Sequence, residues 1–461
     1  MKELRKNIKY LLGVMVVCFI LLTGYLVYDA VIWGNRWLNS PYNPRLQQQR
    51  ATVTPGDIYD RTGELIVSTN DSGQRTYLEN KSQRYAMCHI IGDTKGLCAT
   101  GVESTYAATL LGYNASFLNT MKQFLEQTPV KGNDITLTAD ESLCTTAYKA
   151  MDGAHGAVIL MNYKTGEILA MTSTPGFDPK NMDDADLSSE SSVLVNRAIQ
   201  GRYVPGSIFK VVTLTAALNN GITERWGYTC DGTLELEGDT ITCPSEHGEQ
   251  TLEEAFANSC NCAFAQLGVE LGADKLVSTA QSMGFYKETM YKDFTLYASK
   301  LGITSDSRES EIGWAAIGQD KDTVTPMQMC MIAAGIANGG VVKEPRLVKP
   351  SALDVSNLTS ALQDSRIMSA ELAGQVKDMM RTVVEEGTGT RAAVDGVTVC
   401  GKTGTAEVGG SQKAHAWFIG FIEESEHPLA ITVIVENGGS GGRVAAPIAQ
   451  TVLEKAVEAG Y

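Results

Sequence analysis

The longest uninterrupted run of apolar positions lies at the start of the chain. Residues Tyr10–Tyr28 contain no charged side chain, and four basic residues precede them: Lys2, Arg5, Lys6 and Lys9. Such a run is long enough to cross a bilayer as a helix, and a basic flank is typical of the cytoplasmic side. The pattern predicts a cytoplasmic stub over residues 1–9 and a transmembrane anchor over residues 10–33. The remainder of this single-pass chain would lie on the extracytoplasmic side of the cell membrane.

A cleaved signal peptide is the alternative interpretation of the same run. The run is longer than the apolar region of most signal peptides, and no convincing small-x-small cleavage site follows it. Four aromatic residues near its end suit the outer membrane interface: Tyr25, Tyr28, Trp33 and Trp37. An uncleaved anchor is therefore the favoured interpretation.

A second apolar run covers residues 211–218 and stops at an Asn-Asn-Gly turn. It predicts a buried helix with Ser207 in the first turn and Lys210 one turn further on the same face. A serine hydroxyl becomes a nucleophile when a neighbouring base takes its proton, and a buried lysine with a lowered pKa can be that base. The spacing is common in ordinary helices, so further motifs are needed to assign a function.

The remaining patterns alternate between strands and helices. Predicted strands cover Gly156–Met161, Ile168–Thr172, Ala416–Phe421 and Leu429–Glu436, and predicted helices cover Leu252–Leu271 and Ala445–Ala456. Ser259 and Asn261 fall at the centre of the first of these helices. A hairpin, a helical region and then further strands favour an α+β fold.

Composition narrows the classes of function. The 461 residues are enough for two or three domains, and the formal net charge is −15. Binding to nucleic acid needs a basic face, so no nucleic-acid partner is predicted.

The chain has ten cysteines, of which Cys18 lies in the predicted anchor. Cys230 and Cys243 bracket a strand-turn-strand pattern and could form a disulfide. Cys88 and Cys98 are a second candidate pair.

A metal site is another possibility for Cys230 and Cys243, together with Cys260, Cys262 and His247. Its spacing matches no standard zinc pattern, so buried free thiols, no metal and no cofactor are predicted.

Three short motifs occur in a defined order along the chain. They are Ser-x-x-Lys at Ser207 and Lys210, Ser-x-Asn at Ser259 and Asn261, and Lys-Thr-Gly at Lys402, Thr403 and Gly404. This ordered set resembles penicillin-binding proteins and class A β-lactamases. Each motif is weak alone, but the ordered set is specific.

The N-terminal third narrows the resemblance to class B penicillin-binding proteins. The pattern R-x₅-G-x-I-x-D-R-x-G from Arg50 to Gly63, and G-x-E-x-x-Y from Gly101 to Tyr106, are similar to the pedestal of that class. The resemblance implies a small pedestal domain over residues 34–133 and a transpeptidase domain over residues 134–461. It also implies an antiparallel sheet flanked by helices.

The same resemblance implies a role for each motif residue. Ser207 would attack an acyl carbon and form an acyl-enzyme, with Lys210 as the base. Ser259 would relay a proton to the leaving amine, and Lys402 would keep that region positive. Asn261 would bind the peptide amide of the substrate.

The Lys-Thr-Gly strand would bind the rest of the substrate. Thr403 and Thr405 would offer hydroxyls to a carboxylate, and Gly404 would leave room for the substrate along the strand. The backbone N–H groups of Ser207 and Thr405 would form the oxyanion hole. By resemblance, the substrate is the D-Ala-D-Ala end of a peptidoglycan stem peptide, and β-lactams would acylate Ser207.

Two other classes of function stay open at this point. A D,D-carboxypeptidase or a β-lactamase would use water as the acceptor, although no E-x-x-L-N segment lies between Asn261 and Lys402. A non-catalytic β-lactam sensor or a scaffold of a wall-building complex would not turn over. Family analogy also suggests a polytopic glycosyltransferase partner of the shape-elongation-division-sporulation type.

Overall fold

The computed structural model describes residues 2–32, 52–113, 131–184, 191–223, 225–350 and 364–461, together with residues 39, 43, 46 and 48. Trp33 and Trp37 of the predicted interfacial belt lie outside the described residues, and so does Arg50.

The described helices are Lys2–Ile32, Lys81–Ile91, Val102–Thr105, Ala107–Leu110, Glu141–Ala150, Lys210–Asn219, Leu252–Ala257, Asn261–Leu271, Ala273–Ser282, Glu309–Ala316, Pro326–Ala337, Ala370–Glu385 and Ala445–Glu458. The described strands are Ile58–Tyr59, Leu65–Thr69, Arg75–Tyr77, Ile135–Thr136, Gly156–Asn162, Ile168–Thr174, Gly227–Cys230, Thr233–Leu236, Asp239–Thr242, Gly248–Thr251, Thr289–Met290, Thr295–Leu296, Val341–Val342, Ser365–Arg366, Val399–Ala406, His415–Ile422 and Leu429–Val435.

The N-terminal helix is long enough and apolar enough to span a membrane. Over Glu3–Asp29 its most apolar window has a mean hydropathy of 2.4, and none of that window is buried against the rest of the protein. An apolar helix that finds no protein core to pack against is typical of a membrane anchor.

A five-stranded sheet forms the centre of the structure, and we call it the central sheet. Its strand order is Val399–Ala406, His415–Ile422, Leu429–Val435, Gly156–Asn162 and Ile168–Thr174, and every neighbouring pair is antiparallel. The middle strand is buried at every position, since helices Pro326–Ala337 and Ala445–Glu458 both pack against it. The α+β fold with a helix-flanked antiparallel sheet is therefore confirmed.

The helix Lys210–Asn219, which we call the nucleophile helix, lies between the central sheet and the helical region. All its residues from Lys210 to Ala217 are buried, which explains why the segment is so apolar. A single 3₁₀ turn, Gly206–Phe209, precedes it and packs against the edge strand Val399–Ala406. The predicted buried helix is confirmed, although Ser207 lies in the 3₁₀ turn and the α-helix begins at Lys210.

The predicted pedestal contains a small sheet of its own. Its strand order is Arg75–Tyr77, Leu65–Thr69, Ile58–Tyr59 and Ile135–Thr136, of which the last pairs in parallel with its neighbour. Its apolar side chains belong to the same continuous core as the central sheet. The boundary at residue 134 stays a prediction, and the strand directly after it completes the pedestal sheet.

Two charged residues of the pedestal motifs have structural roles. Glu103 of G-x-E-x-x-Y accepts a hydrogen bond from Arg75 Nε at 2.9 Å, and both side chains are almost fully buried. Asp60 Oδ1 accepts the backbone N–H groups of Thr62 and Glu64 and so closes the turn between the first two strands. The motifs therefore stabilise the pedestal sheet.

The prediction of one helix over Leu252–Leu271 is wrong. The structure has two helices, Leu252–Ala257 and Asn261–Leu271, separated by a turn at residues 258–260. Ser259 in this turn has φ +57°, a left-handed backbone that no α-helix contains. The apolar periodicity continues across the break, so the pattern alone did not reveal it.

The proposed disulfides are absent from the structure. Cys230, Cys243, Cys88 and Cys98 are free thiols. The hairpin between the first two, Thr233–Leu236 with Asp239–Thr242, forms as the sequence predicts.

Candidate active site

Ser207 is held at the edge of the central sheet by close backbone packing. Gly206 has φ +56°, and a Cβ atom there would lie 2.5 Å from the carbonyl oxygen of Thr405. The N–H of Gly206 donates to the carbonyl oxygen of Gly318 at 2.8 Å. Only glycine satisfies both the left-handed backbone and this close approach, so the Gly206 position fixes Ser207 against the Lys-Thr-Gly strand.

Lys210 is fully buried and points at the Ser-x-Asn segment. Its Nζ donates to the carbonyl oxygen of Ser259 at 2.6 Å, to Ser259 Oγ at 3.3 Å and to Asn261 Oδ1 at 2.8 Å. Burial lowers the pKa of Lys210 to about 8. No hydrogen bond between Ser207 and Lys210 is present among the described residues, and such bonds are often long before a substrate binds.

The break between the two helices presents the Ser-x-Asn side chains to Lys210. The left-handed backbone of Ser259 turns the chain, and the next residue, Cys260, is the extended N-cap of the helix Asn261–Leu271. Asn261 Nδ2 donates to the carbonyl oxygen of Thr242 at 2.9 Å, which fixes its amide with Oδ1 toward Lys210. Backbone strain of this kind is common where a site must hold side chains in one arrangement.

Lys402 is buried on the Lys-Thr-Gly strand beside Lys210. Its Nζ donates to the carbonyl oxygen of Thr403 at 3.1 Å and lies 5.5 Å from the centre of the Phe256 ring. Burial, followed by the positive charge of Lys210, holds the pKa of Lys402 well below its usual value. Two neighbouring buried amines disfavour double protonation, so one of them is readily neutral.

The Lys-Thr-Gly strand turns Thr403 and Thr405 toward the cleft and Gly404 toward the opposite face. Thr405 is exposed in the cleft, whereas Thr403 Oγ1 is bonded to Thr388 Oγ1 at 2.6 Å. A Cβ at Gly404 would lie 2.9 Å from Ile208 Cγ2, on the face turned toward the nucleophile turn. Gly404 therefore allows the turn to pack on the strand, and the prediction that it leaves room for substrate is not the role this geometry supports.

The motif residues lie at one cleft, which has a volume of about 460 Å³. Ser207, Ser259, Asn261, Thr403 and Thr405 line it. Lys210 and Lys402 lie beneath its wall and are not among the lining residues. Other residues that were not candidates from the sequence also line the cleft, among them Trp314, Gln319, Thr388, Arg391, Ser440 and Arg443.

Most of these missed residues lie in loops without a catalytic motif. Arg391 and Arg443 are exposed guanidinium groups at the cleft, and nothing in their spacing links them to Ser207. Arg391 follows the short segment Gly387-Thr388-Gly389, which belongs to none of the three motifs. Two cations here suit an anionic substrate group.

His415 and Glu407 lie close to the Lys-Thr-Gly strand in the sequence but have different surroundings. His415 Nδ1 accepts the N–H of Asn437 at 3.1 Å, and the ring packs edge-on against Tyr203, so His415 has a packing role. Glu407 is exposed directly after the strand Val399–Ala406 and lines the cleft.

Ser207 lines an open cleft, and a buried lysine with a lowered pKa lies close to that cleft. A second buried lysine lies on the adjacent strand. Together these features define a serine acyltransferase site. The model of the penicillin binding protein transpeptidase domain matches residues 156–454 of the chain. The chain belongs to this family, among its class B members.

Relatives of known name cover nearly the whole chain. Peptidoglycan D,D-transpeptidase PbpA of Mycolicibacterium smegmatis is 31% identical over 97% of this chain and 98% of its own length. Stage V sporulation protein D of Bacillus subtilis is 32% identical over 80% of this chain and 62% of its own length.

The fold also matches solved structures. The ceftriaxone acyl-enzyme complex of penicillin-binding protein A from M. tuberculosis superposes with a TM-score of 0.77 and 28% identity. The match covers 89% of this chain and all of that one.

Proposed function

We propose that this protein is a peptidoglycan D,D-transpeptidase that cross-links stem peptides through an acyl-enzyme on Ser207. The observation that carries the proposal is the placement of buried Lys210 against both Ser259 and Asn261, directly beneath the cleft that Ser207 lines. The side chains proposed as base, proton relay and amide-binding group are therefore in contact with one another, at the cleft that the proposed nucleophile lines.

In the acylation step, neutral Lys210 accepts the proton of Ser207 while Oγ attacks the carbonyl carbon of the penultimate D-Ala. The tetrahedral oxyanion is stabilised by the N–H groups of Ser207 and Thr405, each worth about 3 kcal/mol at the transition state. The C–N bond then breaks, Ser259 passes its proton to the departing D-Ala amine, and protonated Lys210 replaces it with the proton taken from Ser207. Lys402, the buried amine on the adjacent strand, contributes positive charge to this region when it is protonated.

The terminal carboxylate of the stem peptide is assigned to the exposed end of the Lys-Thr-Gly strand. Thr405 is the primary hydroxyl donor, because Thr403 is already engaged by Thr388. Arg391 and Arg443 supply positive charge along the same cleft. An amine of a neighbouring stem then attacks the ester carbon. The new C–N bond forms the cross-link, the ester C–O bond breaks, and the proton that the amine loses passes through Lys210 to Ser207 Oγ.

We further propose that the catalytic domain faces the extracytoplasmic side and that residues 34–133 act as a pedestal. The basic residues at the start of the helix Lys2–Ile32 support this orientation. Protease added to intact protoplasts should digest the chain after residue 33 and spare an epitope tag placed before Met1. Loss of the tag with a protected catalytic domain would reverse the orientation.

The pedestal supports an additional proposal, a complex with a polytopic glycosyltransferase of the shape-elongation-division-sporulation type. A cavity of about 870 Å³ lies along the pedestal strand Arg75–Tyr77 and offers a surface for such a partner. Cross-linkers placed at this cavity should recover the glycosyltransferase from membranes, and recovery of none would remove the proposal.

The central test uses the full chain in detergent and a fluorescent penicillin. Stable label is expected on the wild type and on Ser278→Ala, an exposed serine of the helix Ala273–Ser282 outside the motifs, and none on Ser207→Ala. Equal labelling of Ser207→Ala would remove Ser207 from the mechanism.

A second assay separates the classes of acceptor. A stem peptide ending in D-Ala-D-Ala, supplied with an amine acceptor, should yield the aminolysis product. Hydrolysis alone would identify a D,D-carboxypeptidase, and stable label without any peptide turnover would identify a sensor or scaffold.

A further inference from the structure

Four potential metal ligands from separate parts of the chain meet beside the Ser-x-Asn segment, and we call them the thiol cluster. They are Cys230, Cys243, His247 and Cys260, and their ligand atoms all lie within 4.8 Å of one another. The spacing along the chain is irregular, which is why the sequence predicted no metal. The fold brings the four together.

Local backbone pairing holds these residues in place. Cys230 ends the strand Gly227–Cys230 and pairs with Gly248, the residue after His247. The N–H of Cys243 donates to the carbonyl oxygen of Gly232 at 2.9 Å, which folds the hairpin end back toward Cys230. The cluster is thus built on strand ends and on a helix N-cap, and such positions are rigid enough to preorganise ligands.

The sulfur separations fit coordination and exceed those of a disulfide. Cys243 Sγ lies 3.6 Å from Cys260 Sγ. Two thiolates on one tetrahedral Zn²⁺ are about 3.8 Å apart, because each Zn–S bond is about 2.3 Å long. A disulfide requires about 2.05 Å.

The histidine provides an independent observation. The Nδ1 atom of His247 is buried, and this atom has no hydrogen-bond partner among the described residues. A buried ring nitrogen without a partner is costly, and a metal ion would satisfy it. Cys230 and Cys260 are fully buried, so the site is closed to solvent on that side.

Backbone N–H groups point at the sulfur atoms. Cys243 Sγ accepts from the N–H of Asn261 at 3.1 Å and from that of Cys262 at 3.4 Å, and Cys260 Sγ accepts from the N–H of Ala263 at 3.4 Å. Donors at a helix N-terminus stabilise thiolates, which are the metal-binding form of cysteine.

We propose that Cys230, Cys243, His247 and Cys260 bind one Zn²⁺ ion in a closed structural site. Three thiols and one neutral imidazole are a standard donor set for this ion. Binding forms three Zn–S bonds and one Zn–N bond and releases three protons to solvent. No redox change is involved.

The position of Cys260 gives this ion a role in the active site. Cys260 stands between Ser259 and Asn261, so a bond to its sulfur would hold the left-handed turn that aims both side chains at Lys210. The ion is thus a positioning element for the acylation step, and this consequence rests on the proposed function.

Elemental analysis of the full chain, purified in detergent without chelators, tests the proposal directly. About one zinc per chain is expected in the wild type and far less than that in Cys243→Ser and His247→Ala. Cys262→Ser is the matched control, because Cys262 lies 3.5 Å from Cys243 and is outside the ligand set. It should keep the metal.

Reconstitution with Co²⁺ alone gives a spectroscopic readout that does not depend on the variants. Thiolate-to-cobalt charge-transfer bands and visible bands of tetrahedral cobalt are expected at one equivalent. A metal-free wild type with a disulfide from Cys243 to Cys260 or Cys262 would overturn the proposal, and so would equal zinc in Cys243→Ser.

Failure of the metal site and failure of the proposed function are distinguishable. Ser207→Ala should bind zinc like the wild type yet take up no penicillin. Chelation of the wild type should slow acylation at least tenfold, and added Zn²⁺ should restore it. Full acylation of zinc-depleted protein would remove the positioning role.

Discussion

The pH dependence of acylation tests Lys210 as the base. Burial lowers the pKa of Lys210 to about 8. The titratable groups that face it are Lys402 on the adjacent strand and the cysteines Cys243, Cys260 and Cys262, whose negative forms oppose the shift. Only the neutral amine can accept a proton from Ser207. Acylation should therefore be slow at low pH, rise through pH 8 and level off above it.

The size of the effect follows from this pKa. With a value of about 8, the neutral fraction of Lys210 is about 3% at pH 6.5 and about 90% at pH 9. The second-order acylation rate should therefore increase about thirtyfold between these limits. Below pH 7.5 the increase should approach tenfold for each pH unit.

The assay is stopped-flow labelling with fluorescent penicillin, after subtraction of spontaneous hydrolysis at each pH. His415→Gln is the control, since His415 packs against Tyr203 outside the cleft and should not change the profile. A rate that is flat from pH 6.5 to 9, or that falls as pH rises, would refute Lys210 as the base. Circular dichroism across the range excludes unfolding as the cause.

The other predictions concern packing, stability and substrate contact. Gly206→Ala should unfold at a lower temperature and lose about 1–3 kcal/mol of stability, because position 206 has a left-handed backbone and a Cβ there would lie 2.5 Å from the Thr405 carbonyl oxygen. Gly153→Ala is the control, because Gly153 also has a positive φ (+77°) but is surrounded by open space, and this variant should lose less stability. Arg75→Met should cost about 3–5 kcal/mol in denaturant unfolding, because it leaves Glu103 buried and unpaired; a loss below about 1 kcal/mol would contradict that reasoning. Thr405→Val should weaken turnover of stem peptide at least tenfold with an unchanged melting temperature, and normal turnover would exclude Thr405 from the carboxylate site.

The motifs that depend on local spacing were predictable from the sequence. Ser207 and Lys210 lie within one turn of each other, so any helical start brings them together. The strands of the central sheet were predictable because alternation, apolar runs and turn signals are local properties. The antiparallel arrangement of the central sheet was predictable only from the resemblance to a family, because the periodicity of a strand does not show which distant strand it pairs with.

The features that were missed depend on contacts between distant segments. The break at residues 258–260 interrupts no apolar pattern, and its left-handed serine is disfavoured locally, so only tertiary contacts stabilise it. The sequence predicts a substrate role for Gly404 because one strand alone does not show which of its two faces packs against the nucleophile turn. The thiol cluster was not predictable because its residues are irregularly spaced in the sequence and come together only after the hairpin and two helices pack.

Two of the features that the sequence did not predict, the helix break and the thiol cluster, meet at the turn of residues 258–260, and this has a physical reason. A continuous helix would have placed Ser259 and Asn261 on different faces, and only one could then have reached Lys210. The turn brings both within hydrogen-bond distance at the cost of a strained backbone. That strain must be balanced by contacts beyond the catalytic side chains, and two backbone N–H groups at the turn are already bound to Cys243 Sγ. The cysteines around this turn are therefore best understood as part of the structure that holds the catalytic segment in its productive shape.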